Sequence, residues 1–226
     1  MRIVRGGRER PEADRELTAE LVSTVAERGE RLLRVWQPPR QVAFGRRDTT
    51  RDGYDRARER LRAASIPFVE RSVGGHAVYF SGTTLSFVRA TPVGDARSSI
   101  TERYEAATAD VRAALDRLGV DATAGEPDGA FCPGTHSLSA DGKIVGLAQR
   151  LRRDRAVVSG IVVVRDYEEI GSVLGPVYDA LDLPFDRSAT GSLARAGGVA
   201  DPDAVCRALE TALADGDPTV ERVRET

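Results

Sequence analysis

Apolar positions along this chain alternate between a period near four and a period of two, the spacings of an amphipathic helix and of a half-buried strand. Leu17, Leu21 and Val25 stand four apart and predict a helix over 12–28. Short strands follow at 31–36 and 41–45, separated by Pro38-Pro39, where neither residue can donate to a ladder. A helix at about 51–64 closes ahead of Pro67. Strands at 67–72, 76–80 and 85–90 are joined by glycine-bearing turns. Tyr104, Val111, Leu115 and Leu118 mark a helix over 100–118, with Ser99 as N-cap and Glu102 three residues on, a capping box. Strands at 143–151 and 156–164 flank an arginine-rich tip, and helices lie near 167–182 and 202–214. The last helix opens on Asp201-Pro202, a cap followed by proline at the first helical position.

Strands and helices in this order predict an α+β fold, with mixed or antiparallel sheet layers packed with helices. No internal repeat or Ser/Gly/Pro-rich linker divides the pattern. Residues 1–226 therefore read as one domain with a helical C-terminal tail from about 196, too short for a core of its own.

Hydrophobic residues make up 41% and charged residues 30%, which fits a soluble globular protein rather than a disordered one. The formal net charge of −2, with both signs dispersed, gives no footprint for nucleic acid. The apolar stretch 156–164 is too short to span a bilayer. Met1-Arg2-Ile3-Val4-Arg5 has no apolar run behind it, so it does not read as a secretory signal. A cytoplasmic location is expected. Cys132 and Cys206 cannot make a disulfide framework. No histidine has metal-ligand company, and no metal site is predicted.

Only one of the 33 basic side chains is lysine, Lys143; the rest are arginine. A chain that uses guanidinium elsewhere marks this position for something a wide planar fork cannot do. An ammonium is a compact point charge that reaches a single oxygen inside a narrow pocket. Asp141-Gly142 ahead of it favours a tight turn. The period of two then places Lys143, Val145 and Leu147 on one strand face and Gly146 and Ala148 on the other, a face bare enough for a ligand to lie against the backbone. In the stretch Arg71-Ser72-Val73-Gly74-Gly75-His76-Ala77-Val78, the paired glycines can turn N–H groups toward an anion, with Arg71 adding a forked contact. The plain alternative is a Gly-Gly hairpin with a solvated arginine.

Gln41 to Asp48 (Gln-Val-Ala-Phe-Gly-Arg-Arg-Asp), then Arg71 to Val78, then Gly142 to Gln149 ahead of a glycine-containing apolar strand, appear in an order that resembles the biotin and lipoate protein ligase superfamily. The lipoate-protein ligase A and lipoyl/octanoyl transferase branch is the most similar. This resemblance implies the fold of that catalytic domain, and attachment of lipoate or octanoate to one lysine of a carrier domain. In the ligase form, ATP and Mg²⁺ first make an acyl-adenylate. By the resemblance Arg71, Gly74 and Gly75, continuing into His76 and Ala77, cradle the acyl chain and its activated carboxyl. Lys143 contacts the carbonyl and phosphate, and the Gly146/Ala148 face leaves room for the aliphatic chain. The implied partner is the lipoyl domain of a 2-oxoacid dehydrogenase or a glycine-cleavage carrier protein, with an acyl carrier protein or a separate accessory domain as further candidates.

Departures from the family pattern fall at specific places. His76 stands where ligases carry a third glycine, Phe80-Ser81 where they carry His-Asp, and Val158-Ser159-Gly160 where they carry His-His-Gly. Phe131-Cys132-Pro133 stands where an Asn-Asp pair precedes the lysine. These changes strip polar groups from the nucleotide's side. A basic residue after Gly-Gly and a cysteine ahead of the lysine are instead similar to cysteine-dependent octanoyltransferases, in which a thiol takes the acyl group without ATP. Cys132 is the candidate acceptor, although the order is Phe-Cys where the transferases have Cys-Phe, and the spacing to Lys143 is shorter. The other readings for Cys132 and Cys206 are small buried hydrophobes, Cys206 beside Leu209 and Leu213. His136 could orient Cys132 or meet water. A non-catalytic acyl-binding module is the reading from another class. Arg150, Arg152, Arg153 and Arg155 read as a solvated tip, or as a docking surface for an acidic carrier.

Overall fold

The computed structural model describes residues 1–71, 74–93 and 100–223. Its elements, in chain order, are β1 (Arg2–Arg5), α1 (Pro11–Arg28), β2 (Leu32–Trp36), β3 (Gln41–Phe44), α2 (Tyr54–Ala63), β4 (Phe68–Glu70), β5 (Val78–Phe80) and β6 (Leu85–Pro92). There follow α3 (Ile100–Arg117), β7 (Thr123–Ala124), β8 (Ser137–Ser139), β9 (Lys143–Leu151), β10 (Arg155–Val162), α4 (Tyr167–Ala180), α5 (Pro202–Leu213) and β11 (Thr219–Arg222). Ser99, the expected cap of α3, and Ser72 and Val73, in the expected strand 67–72, lie outside the described residues.

Eight strands form one sheet in the order β11-β1-β2-β6-β10-β9-β8-β7, and β4-β3-β5 form a second. The β1–β11, β1–β2 and β3–β4 pairs are parallel and the rest antiparallel. The mixed α+β expectation holds. The larger sheet buries one face under α3 and α5, through Val111, Leu115, Val205 and Leu209. A second core joins the small sheet to α2 and α4 around Phe44, Leu61, Tyr79 and Leu174. The tail was expected to be helical; α5 packs into the first core, and the chain then adds β11, a fully exposed edge strand.

α1 is pinned by charge as well as by apolar contact. It starts with Pro11 in its first turn and ends at Gly29, which takes the left-handed φ of 61°. Its first-turn Asp14 is buried. Asp14 Oδ1 lies 2.5 Å from Arg34 Nη2 on β2, and Oδ2 accepts from Trp36 Nε1 at 2.8 Å. Burial is the main influence lowering the pKa of the Arg34 guanidinium, and Asp14 opposes it.

One expectation about β9 is corrected. β8 pairs with β9 through Ser137↔Gly146, Leu138↔Val145 and Ser139↔Lys143, so β9 spends one residue more than its partner over this step. Such a bulge breaks the alternation of side chains. Ile144 and Val145 both pack into the first core. Lys143 turns instead to the Gly146 side, its Cε 3.4 Å from where a Cβ on Gly146 would lie. Lysine and bare strand face thus share one side, not opposite sides.

Candidate functional site

Cys132 sits in the loop between β7 and β8 with φ +42°, in the left-handed region that a non-glycine residue enters at a cost. Three contacts hold it there. Its N–H donates to Tyr178 Oη at 2.6 Å, and that hydroxyl donates to the Ala77 carbonyl at 2.9 Å. Tyr178 is 1% exposed, and its burial raises its pKa well above the usual value, which keeps it a phenol able to accept and donate at once. Lys143 Nζ donates to the carbonyls of Cys132 at 2.8 Å and Phe131 at 3.0 Å.

Lys143 is itself 1% exposed and is neutralised by Glu126, with Nζ 2.6 Å from Oε2. Glu126 also accepts from the Gly134 N–H at 2.7 Å and from Ser137 Oγ at 2.8 Å. One carboxylate thereby ties both ends of the cysteine loop to the lysine. Sequence reading missed Glu126 and Tyr178, and gave Asp48 no role beyond its place in the Gln41 to Asp48 motif. The ammonium was expected to reach for a substrate carbonyl; here its donors are spent on the loop that carries the thiol.

The sulfur faces the glycine turn. Sγ accepts from the His76 backbone N–H at 3.4 Å and from Arg71 Nη2 at 3.5 Å. N–H groups aimed at one atom favour negative charge there. Gly75 has φ +86°, and a Cβ on it would come 2.7 Å from Sγ, so only glycine fits. Arg71 Nη2 also donates to the His76 carbonyl at 2.5 Å. The His76 side chain points elsewhere: Nδ1 lies 2.7 Å from Oδ1 of Asp48, a fully buried carboxylate whose Oδ2 accepts from the Gly45 N–H at 2.8 Å. A Cβ on Gly45 would overlap the Gly75 carbonyl at 1.9 Å. The turn at 45–48 therefore backs directly onto the Gly-Gly turn.

In front of the thiol lies a cavity of about 490 Å³. Arg71, Gly74, Gly75, Cys132 and Lys143 line one part; Gly146, Ala148 and Gly160 form a bare strand wall, with Val78, Phe80 and Val88 supplying apolar surface. A second cavity of about 370 Å³ shares Arg71, Phe80 and Ala148 with it. The combined groove is of ligand-binding size and largely apolar.

Not every expected residue reaches the groove. Ala77 is fully buried in the second core, because the chain has already turned into β5, and it contributes only its carbonyl to Tyr178. His76 contributes its backbone. His136 does line the groove, but its ring stacks on Tyr104 with centroids 3.8 Å apart. Cys206 is half-buried, its Sγ donating to the Val35 carbonyl at 3.5 Å, and burial pushes its thiol up to about 12. Among the described residues no Asp or Glu lines the thiol's cavity, and Asp14 lines the second one. Among the described residues no group of three His, Cys, Asp or Glu side chains could hold a metal.

The family model described as the lipoyl protein ligase A/B catalytic domain matches residues 11–212. Over 128 residues the chain is 33% identical to the octanoyl-[GcvH]:protein N-octanoyltransferase of Geobacillus kaustophilus, covering 56% of this chain and 45% of that one. The chain spans about half the length of the curated relatives it matches. The crystal structure of a lipoate-protein ligase A bound with ATP superposes with a TM-score of 0.73 at 20% identity, covering 99% of this chain and 89% of that one. A bipartite lipoate protein ligase from Thermoplasma acidophilum, studied with its E2 lipoyl domain, gives 0.70 at 17% identity over 99% and 87%. At these identities the two structures show a shared fold.

Proposed function

The chain belongs to the lipoyl protein ligase A/B catalytic domain family, and from that premise we propose that it is an octanoyltransferase that carries the acyl group on Cys132 from one lipoyl carrier lysine to another. The observation that supports this most is the thiol itself: a strained cysteine facing an apolar groove, with the Arg71 guanidinium and the His76 N–H on its sulfur. The 33%-identical relative is named for octanoyl transfer from GcvH to protein, which favours a glycine-cleavage carrier as donor; the acceptor we propose is the lipoyl domain of a 2-oxoacid dehydrogenase.

In the first step the sulfur attacks the octanoyl amide carbonyl. The S–C bond forms, the C–N bond breaks, and the departing lysine amine takes the proton the thiol gives up. In the second, the acceptor lysine amine attacks the thioester; C–N forms, C–S breaks, and the proton returns to sulfur. Arg71 and the His76 N–H stand within reach of charge as it moves from sulfur to the carbonyl oxygen, the electrostatic contribution that dominates acyl transfer. Lys143 and Glu126 hold the loop, so the thiol does not have to be ordered during reaction. The Gly146, Ala148 and Gly160 wall leaves the octanoyl chain room to bury its methylenes, at about 0.8 kcal/mol each.

ATP-dependent ligation of free lipoate is the competing chemistry, and simple acyl binding without transfer is another. One assay separates them. A lipoyl domain is incubated with the protein in two arms, octanoylated glycine-cleavage carrier without nucleotide and free octanoate with Mg-ATP, and then weighed intact. The proposal predicts octanoylation in the first arm alone, with Cys132→Ser lowering the rate by about 10³-fold or more. Modification in the second arm alone establishes the ligase, and none in either arm, with octanoate still bound by the protein, establishes a binding module.

A further inference from the structure

The chemistry above leaves the arginines of the β9–β10 tip without a task. Arg150, Arg152, Arg153 and Arg155 cluster around Leu151, which at 51% exposure is a large apolar side chain left in solvent. Exposed Arg46, from the turn behind the Gly-Gly segment, joins them. The Arg150 guanidinium is held below its ordinary value by partial desolvation and then by the charges of Arg152 and Arg46, each of which stands close enough to act on it. The acid within the tip, Asp154, is drawn to Arg155 at 2.5 Å. The chain as a whole carries a formal net charge of −2, so this concentration of one sign is a local sorting of charge. It is also well placed, because Arg150, Arg152 and Arg155 line the second cavity, which shares Arg71 and Ala148 with the cavity of the thiol.

We propose that the β9–β10 tip and Arg46 form the docking surface for the acyl carrier, an acidic protein whose modified lysine lies beside an exposed apolar residue. This rests on the octanoyl-transfer reading. Carboxylates of the carrier meet guanidinium forks, which bind them in bidentate fashion, while Leu151 seats against the carrier's apolar residue. The carrier's acylated lysine is thereby brought to the groove that leads to Cys132. Like charge on a wrong partner is rejected by the same patch.

The test measures binding separately from chemistry. The purified glycine-cleavage lipoyl carrier protein is titrated calorimetrically into wild-type protein, into Arg46→Glu/Arg153→Glu and into Leu151→Ser; none of the three substituted side chains bears on the thiol. The charge reversal raises Kd by about tenfold or more and removes its dependence on salt, and Leu151→Ser weakens binding without changing the salt dependence. Acylation of Cys132 by the small donor octanoyl-N-acetylcysteamine stays at the wild-type rate in both variants. An unchanged Kd, or no binding by the wild type, overturns the surface. So does loss of binding to phosphatidylglycerol vesicles in the same variants with carrier affinity intact, which identifies a membrane-facing patch. Failure of the thioester chemistry reads differently: the carrier binds, and neither donor acylates Cys132.

Discussion

Lys143 was conspicuous because it is the one lysine among 33 basic residues, and Arg71 and the glycine pair because that turn chemistry is local. Glu126 had no such signal: it is one of 35 acidic residues, and its partners Gly134, Ser137 and Lys143 are collected only when the loop closes. Its role predicts a separable effect. Glu126→Ala should lower kcat by about 10²-fold, the penalty of a misplaced reacting group, and leave KM for the carrier unchanged in steady-state assays. Lys143→Arg should abolish transfer while far-ultraviolet circular dichroism stays native, since a planar fork cannot reach Glu126 and two carbonyls from this buried site. The two thiols should also behave differently. Cys206, raised to about 12 from an ordinary 9.0 mainly by burial, should resist iodoacetamide near neutral pH while partly exposed Cys132 is alkylated, as peptide mapping would show. The same burial carries a sign for stability. Below pH 9 folded and unfolded chains both keep the Cys206 proton; between 9 and 12 the unfolded chain loses it first, so stability should fall across that window in urea titrations.

At the scale of elements, the long periodic segments and the short strands β2 to β5 were readable, and β1, β7, β8 and β11 were not. α1, α3, α5 and β9 fall within a residue or two of the expected limits, because each repeats its pattern over several turns or alternations. β8 has a single buried leucine between serines, and β11 is exposed at every position and exists through parallel pairing with β1. Neither carries a local pattern. The bulge in β9 was equally hidden, since it depends on register against β8. Packing between elements yields two predictions. A Cβ at Gly160 would lie 2.2 Å from the fully buried Phe87 ring, so Gly160→Ala should destabilise the protein by about 1–3 kcal/mol in urea unfolding. Asp14→Ala should cost about 3–5 kcal/mol, because it strands Arg34 in the interior.

For the whole molecule, the α+β class was legible, whereas its division into two sheets was not. β2 and β3 are neighbours in sequence across Pro38-Pro39 yet belong to different sheets, a choice made by pairing with β6 in one case and with β4 and β5 in the other. That division is what builds the site. β9 and β10 of the large sheet provide the bare wall, the turn ahead of β5 in the small sheet provides Gly75, and α4 sends Tyr178 to the cysteine loop. The most direct measurement is intact-mass spectrometry of this protein after brief incubation with octanoylated carrier in the absence of nucleotide. A single added octanoyl group, mapped to Cys132, released by hydroxylamine and transferred to a fresh lipoyl domain, is the predicted result. An unmodified protein that nonetheless octanoylates the lipoyl domain, or an adduct on any other residue, contradicts it.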